Sequence, residues 1–564
     1  MEIKYSSARM YQKSTAKPVD RIFFAAACLM LCIYLGIFAY LNMAKYTQHV
    51  DSDIAAEALL SREIWEEKNL MPNNWIASTE QRIVAVPALA SLFYGMSGSM
   101  VFSMGISCVI VGGLLLISIA CTFRRCGISR LGIVTALLTL CALPINCLRN
   151  DDQMVPFMML LLFLFAEYYA LHSICLFLCI SFYLYLRDDG PEKKANPATR
   201  RQKIRTGLVW IALICLCGGL ALSGMRCLQV IAVPLLVWEV LTLFFESNHM
   251  QKPLPSRKRW LGSGFILSLF AAAALAMLYP AHKDYTLNIE TADLMVYRLM
   301  RHVPAAILDC LGIAGNCDLT SWSAVMQFGI LAVIALTIYG LFLIFRRGKT
   351  SDENRFPKIN ATFPQKALIQ VLGTSFLLTV FIEVVTNAEM APNYFFVAWF
   401  IISAVFAVLI THFEKSAPCF AKLIVACTCI FALCNLFYTY RDCVTTEDNL
   451  YEYQEVIAFM DSNEIDHGYA EFWDASRISI MTDGRITMGH CYQMKSLRPY
   501  LWLTSTKWYL PNLPEQMRTA YVVCAEDKED FEAQFEDASI VTCGFENGRF
   551  AVYTSDYNLF SAIQ

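Results

Sequence analysis

Two aspartates one residue apart, Asp51 and Asp53, follow closely on the first long apolar run of the chain, residues 21–43. They open a polar stretch that reaches about residue 84 and carries five more acids: Glu57, Glu63, Glu66, Glu67 and Glu80. Carboxylates set this close together can take a proton from an attacking hydroxyl, hold a divalent cation, or do both. A single inverting displacement needs one base. Asp51 is the first candidate, with Asp53 beside it for substrate or metal, and the reverse assignment stays open. Each acid also has a plainer reading. Asp is a favoured N-cap, so the pair could cap a helix over 53–67. Glu57, Glu66 and Glu67 could form a solvated helix face, and Glu80 could pair with Arg82.

The elements around these residues belong to a membrane. Of 564 residues, 57% are apolar and only 16% charged, against about 25% charged in ordinary soluble domains; mean hydropathy is +0.46. Eleven apolar segments recur, near 21–43, 99–123, 128–148, 154–186, 207–223, 227–246, 260–280, 322–345, 366–386, 393–413 and 420–439. Most match the roughly 20 residues a helix needs to cross the hydrocarbon. The first is too long for the apolar core of a signal peptide and no small-residue cleavage site follows it, so it reads as a retained span. The fourth is too long for one upright span and must tilt, break or extend beyond the bilayer. Its Glu167 and His172 would be costly against lipid and are expected inside the bundle. Residues 84–96, with Pro87, are too short to cross and read as an interfacial or re-entrant helix.

Lysine and arginine set the orientation. With the N-terminus inside, the inner segments and span ends hold 27 of the 45, the outer loops 9 and the tail after residue 439 the other 9. The plasma membrane is the expected location, with the loop 44–98 and the tail both outside. Most of the 22 cysteines fall in apolar runs, where Cys behaves as a small apolar residue. Cys310 and Cys317 share one outer loop and could pair in an oxidising compartment. Net charge of −3 points to no nucleic-acid partner. His282, His302 and His467 are too scattered to suggest a metal centre.

Two domains are expected: a multispan domain, 1–439, and an extracytoplasmic α/β domain, 440–564. In the latter, 449–462 has helical spacing, and strand-like runs fall at 468–473, 485–490, 519–524, 539–543 and 549–554. Turn signals lie at Asp483-Gly484 and Asn547-Gly548, with a helical pattern around 527–536. The aromatic segment 499–511 could pack on the membrane face or line a sugar site.

A span, an outer acidic loop with D-x-D, many further spans and an outer C-terminal domain together resemble the GT-C superfamily of membrane glycosyltransferases. The stretches Asp51-Ser-Asp53-Ile-Ala-Ala-Glu57, Asn74-Trp75-Ile-Ala-Ser78-Thr79-Glu80, Gly224-Met-Arg226-Cys-Leu-Gln229 and Tyr469-Ala-Glu-Phe-Trp473-Asp474-Ala475 are similar to an uncharacterised bacterial branch of it. At Asn393-Tyr394-Phe395 the sequence departs from the family pattern, in which an arginine is often found. The resemblance implies a mostly α, polytopic bundle with a small α/β domain. It also implies a sugar taken from a polyprenyl-phosphate carrier and passed to a glycan, lipid or protein acceptor on the outer face.

In that reading Asp51 and Asp53 are the catalytic candidates, and Glu57, Glu80 and Arg226 the substrate contacts. No cofactor is implied beyond a divalent metal that Asp51 and Asp53 could hold. Arg226 sits at the outer turn between two spans, where a lipid-headgroup contact is the plain alternative. Arg149, Asp151 and Asp152 would pair among themselves in another short outer turn. Two other classes stay open: a transporter or flippase for lipid-linked saccharides, and a membrane scaffold presenting its outer domain. The absence of an evident internal repeat argues against the transporter.

Overall fold

The computed structural model describes residues 18–78, 81–142, 161–187, 199–248, 257–278, 288–313, 318–346, 359–388, 390–437, 444, 450–535, 537 and 539–560. Among them, nine helices are long and apolar enough to cross a membrane. Three shorter apolar helices, Val86–Ser97, Arg130–Ala142 and Leu228–Phe244, join them. The last two fall on the expected segments 128–148 and 227–246; the first is the short helix expected at 84–96, with Pro87 in its first turn, where a missing N–H costs nothing.

Burial separates the centre of the bundle from its rim. The apolar windows of Pro392–Ser416 and Ala170–Arg187 are 83% and 72% buried, whereas that of Arg21–Ala44 is 17% buried. Helices apolar on every face can take either position, since lipid and neighbouring side chains are both apolar solvents. What draws the central helices together includes close approach at small residues. On the helix Arg130–Ala142, a Cβ at Gly132 would stand 2.8 Å from the carbonyl oxygen of Ala407 on the central helix Val397–Ser416.

The long fourth segment breaks, one of the three outcomes its length left open. Residues 163–169 leave helical geometry before the helix Ala170–Arg187 begins, and Phe165 and Glu167 adopt left-handed backbone angles, φ 58° and 47°. Backbone groups freed inside a membrane bundle must find partners within the protein. The Asn42 side chain provides two, donating to the Phe163 carbonyl and accepting from the Phe165 N–H, both at 2.8 Å. Glu167 and His172 are both buried in the bundle, as expected.

After the last span comes a five-stranded sheet of order β3-β2-β5-β7-β6. Its strands are β2 (His467–Glu471), β3 (Thr487–Cys491), β5 (Thr519–Cys524), β6 (Thr542–Glu546) and β7 (Phe550–Ser555). β2 lies parallel to β3 and β5, while β7 runs antiparallel to β5 and β6. Helix Tyr451–Ser462 and the short helix Lys528–Glu532 match the helical patterns. The expected strand 468–473 ends early, however. From Phe472 the chain turns into a helix, Phe472–Met481, which buries Phe472, Ala475 and Ile478 at helical spacing. That helix makes the right connection for two parallel strands, β2 and β3.

This sheet region sits on the polar loop after the first span. β1 (Trp75–Ile76) of the loop pairs antiparallel with β4 (Thr504–Ser505), matching Trp75 to Ser505 and Ile76 to Thr504. Asp483, in the Asp483-Gly484 turn, accepts the N–H groups of Met100 at 2.7 Å and Val101 at 3.2 Å, so the tail caps a membrane helix. Gly484 is left-handed, φ 80°, and a Cβ there would meet Arg62 at 2.6 Å. The aromatic segment 499–511 takes its packing role: Trp508 and Tyr509 are buried, and Tyr500 and Trp502 join Ala56, Phe472 and Leu503 in a small cluster. His490 holds that segment to the sheet, donating from Nδ1 to the Trp502 carbonyl at 3.0 Å and accepting the Ser476 hydroxyl at Nε2, 2.7 Å.

Candidate active site

Helix α3 (Ser52–Glu67) positions the acid pair, one residue earlier than the spacing suggested. Asp51 is its N-cap: with extended backbone angles, its Oδ1 accepts the Ile54 N–H at 2.8 Å. Burial raises the Asp51 carboxyl above its ordinary value, while the Ile54 hydrogen bond and the nearby Arg477 charge pull it back. Arg477 is itself anchored through Nε to the Val50 carbonyl at 3.1 Å.

Asp53 sits differently. It lies in the first turn, half-buried, and its carboxylate makes no hydrogen bond or ion pair among the described residues. Burial, then the charges of Asp51 and Glu57, push it up to about 7, against the pull of Arg82. A carboxylate poised near neutral pH can both take and release a proton under working conditions.

Glu57 corrects the solvated-face reading. It is 4% exposed and pairs with Arg82, Nε to Oε1 at 2.7 Å. The periodicity of α3 did not reveal this, because its other face is covered by the tail rather than by water. Arg82 in turn lies over the Tyr168 ring, 4.6 Å from its centroid. Its described carboxylate partner is thus Glu57; Glu80, like Arg149, Asp151, Asp152, His282 and Cys317, lies outside the described residues. Glu67 is also no free surface acid: it accepts the N–H groups of Asn73 and Asn74. Only Glu66 keeps an exposed face, its side chain 45% exposed.

Arg226 comes from the turn between helix Arg200–Leu222 and the short π-helical stretch Leu228–Ala232. Gly224, at φ 151°, allows the chain to reverse there. The guanidinium lies between two aromatic faces, 4.1 Å from the Tyr169 centroid and 4.4 Å from that of Tyr394. Such stacking holds a cation in place while its donors remain in the ring plane. So a cation does stand at the Asn393-Tyr394-Phe395 stretch, supplied from another element.

Sequence reasoning missed Tyr168 and Tyr169. These consecutive residues each face one cation, Arg82 and Arg226, so the break at 163–169 links the acid cluster to the Arg226 turn. The signal was present, since Glu167-Tyr168-Tyr169 interrupts an otherwise apolar run. Between the two lies a small cleft, lined by Arg82, Glu167, Tyr168, His172 and Ser223 among others. No group of three or more His, Cys, Asp or Glu side chains is arranged to hold a metal ion among the described residues.

No family model matches the sequence, and no curated protein matches it. Among solved structures, ArnT from Cupriavidus metallidurans, bound to undecaprenyl phosphate, is similar with a TM-score of 0.53 and 10% identity, covering 95% of this chain and 99% of ArnT. The oligosaccharyltransferase of Archaeoglobus fulgidus in its apo form gives a TM-score of 0.47 and 11% identity, over 89% of this chain and 70% of that one. The ArnT likeness spans both the helical bundle and the sheet region, and shows that this chain shares the fold of ArnT.

Proposed function

We propose that this protein is a membrane glycosyltransferase that moves a sugar from a polyprenyl-phosphate-linked donor to an acceptor on the outer face. The observation that carries the reading is the break at 163–169, whose Tyr168 faces Arg82 of the acid cluster and whose Tyr169 faces the stacked Arg226. Asp53 takes the proton of the acceptor nucleophile. That nucleophile forms a bond to the anomeric carbon as the bond from that carbon to the phosphate oxygen breaks, inverting its configuration. The departing polyprenyl phosphate carries its charge to Arg226, whose guanidinium can grip two phosphate oxygens at once, as Lys cannot. Glu57 and Arg82, locked to each other, tune Asp53 and position the substrate.

ArnT's undecaprenyl phosphate supports a polyprenyl phosphate as the carrier. The positive-inside count supports a cytoplasmic N-terminus, and the β1–β4 ladder is what an odd number of spans requires of loop and tail. Cysteines replacing the exposed Asn73 and Ser539, with accessible native thiols removed, should both label with an impermeant reagent in intact cells.

Incubating the purified protein with radiolabelled polyprenyl-phosphate sugars and a mixed acceptor pool tests the activity itself. Release of the carrier with sugar on an acceptor supports transfer. Movement of the intact donor across vesicles without bond cleavage would replace it with the flippase reading. Arg226→Lys should weaken donor use and Arg226→Ala weaken it further, with acceptor affinity little changed.

A further inference from the structure

The bundle gives most of its buried carboxylates partners. Glu239 accepts from the Tyr183 hydroxyl, from Ser263 at 2.5 Å and from Arg187 at 3.2 Å. Glu57 has Arg82 and Glu63 has Lys507. Glu167 departs furthest from this among the described residues: it is 1% exposed and neither of its carboxylate oxygens has a hydrogen-bond partner, while Glu383, 3% exposed, leaves Oε2 unpaired. A carboxylate withdrawn from water without a partner is costly, and such groups inside a membrane bundle mark binding sites or pathways.

Two more polar groups in the same cleft share this condition. The Tyr168 hydroxyl and the Ser223 hydroxyl are both buried without a partner among the described residues. The backbone adds a third kind of evidence. Glu167 is held at φ 47°, an angle that side chains other than glycine rarely adopt and that persists where surroundings enforce it. Room for the carboxylate exists because Gly112 has no side chain; a Cβ there would stand 3.0 Å from Oε1. In sequence Glu167 immediately precedes Tyr168 and Tyr169, the residues that face Arg82 and Arg226.

We propose that Glu167, with the Tyr168 and Ser223 hydroxyls, forms the subsite that receives the sugar ring of the donor, its carboxylate accepting hydrogen bonds from the ring's hydroxyl or ammonium substituents. The inference rests on the proposed donor class and adds to it the residue that reads the sugar. A polyhydroxylated ring is the ligand chemistry that meets an acceptor and two hydroxyls at once. The flanking Val84, Val86 and Leu171 would cover its apolar face.

Binding to the full-length protein in nanodiscs tests it, using bare undecaprenyl phosphate and a panel of undecaprenyl phosphates carrying neutral or amino sugars. Wild type should bind at least one glycosylated carrier at least tenfold more tightly than the bare one. Glu167→Met keeps the side chain's length without oxygens and orphans no partner, so it should fold as well as wild type. It should abolish the sugar-dependent gain and leave affinity for the bare carrier unchanged. Glu167→Gln separates the two chemistries: it should lose the gain for amino sugars alone if an ammonium is read, and keep part of it if hydroxyls are. Three results would overturn the subsite: a gain that survives in Glu167→Met, an equal loss for bare and glycosylated carriers, or a wild type that binds the bare carrier with no gain from any sugar. Failure of wild type to bind the bare carrier would instead remove the donor reading on which the subsite stands.

Discussion

The two ends of helix α3 carry the same chemistry and meet opposite fates. Glu63, Glu66 and Glu67 at its C-terminal end converge on Lys507, whose Nζ lies 2.7, 3.6 and 3.5 Å from their oxygens. At the N-terminal end, Asp51 is occupied as a cap, Glu57 is bound to Arg82, and Asp53 alone has no partner to its carboxylate among the described residues. A cation supplied by the tail turns one acidic cluster into a fastening. At the other, Arg82 is bound to Glu57 and the tail's Arg477 to the Val50 carbonyl, and burial, then the charges of Asp51 and Glu57, raise Asp53 to about 7. The contrast teaches that an acid-rich loop is not uniformly a site; what matters is which acid the fold declines to neutralise.

The largest effect should come from Asp53. Asp53→Asn keeps its size while removing basicity, and transfer should fall on the order of 10²–10⁴-fold with near-normal expression. Asp51→Asn preserves a good cap and should cost less than tenfold in the same turnover assay. Equal losses in the two variants, or near-wild-type turnover in Asp53→Asn, would erase the distinction between cap and base.

At the other end the expected loss is in stability. Lys507→Met leaves Glu63, 1% exposed, without its cation. A penalty of about 1–3 kcal/mol is expected, below that of a fully buried pair because Lys507 is itself partly exposed. Thermal unfolding in detergent should show it, with transfer per folded molecule unchanged. A large drop in turnover without lost stability would mean that this end also serves chemistry. A smaller cost should follow from Asp51→Ala, about 1 kcal/mol for the lost cap, which Asp51→Asn spares.

Acidity distinguishes the two ends most finely. Folded Asp53 keeps its proton up to about pH 7, whereas the unfolded chain releases it near 3.8. Between those values the folded state binds more protons, so this contribution to stability is present at low pH and is lost as pH rises through about 7. Transfer should change in the opposite sense, rising through the same range as the base ionises. Asp53→Asn should flatten both profiles and be more stable than wild type at pH 8. An unchanged pH–stability curve would return Asp53 to the ordinary carboxylate range.

How much of this was readable varied with the range of the forces involved. Spans and their breaks follow from local hydropathy: the excess length of residues 154–186 announced a break, and Pro87 with its short apolar run announced a helix that stops short of crossing. The cap at Asp51 was readable for the same reason, since a cap and its N–H partner lie three residues apart. The helix Phe472–Met481 was hidden because its aromatic start, Phe472-Trp473, resembles a strand until parallel pairing of β2 and β3 requires a helical return.

The sequence by itself determined that this is a bundle of long apolar helices followed by an α/β sheet region, and that an acid-rich stretch follows the first of those helices. Those properties depend on solvent preference and short-range periodicity, which each segment carries alone. Only the tertiary structure decided which acids are neutral fastenings and which one is poised. Lys507 reaches Glu63 across 444 residues of chain, and Arg226 finds Tyr169 and Tyr394 on two other elements. Glu167 is left without a partner in the gap at Gly112. Pairing of charge is set by distance in space and by exclusion of water, and neither is written in the order of the residues.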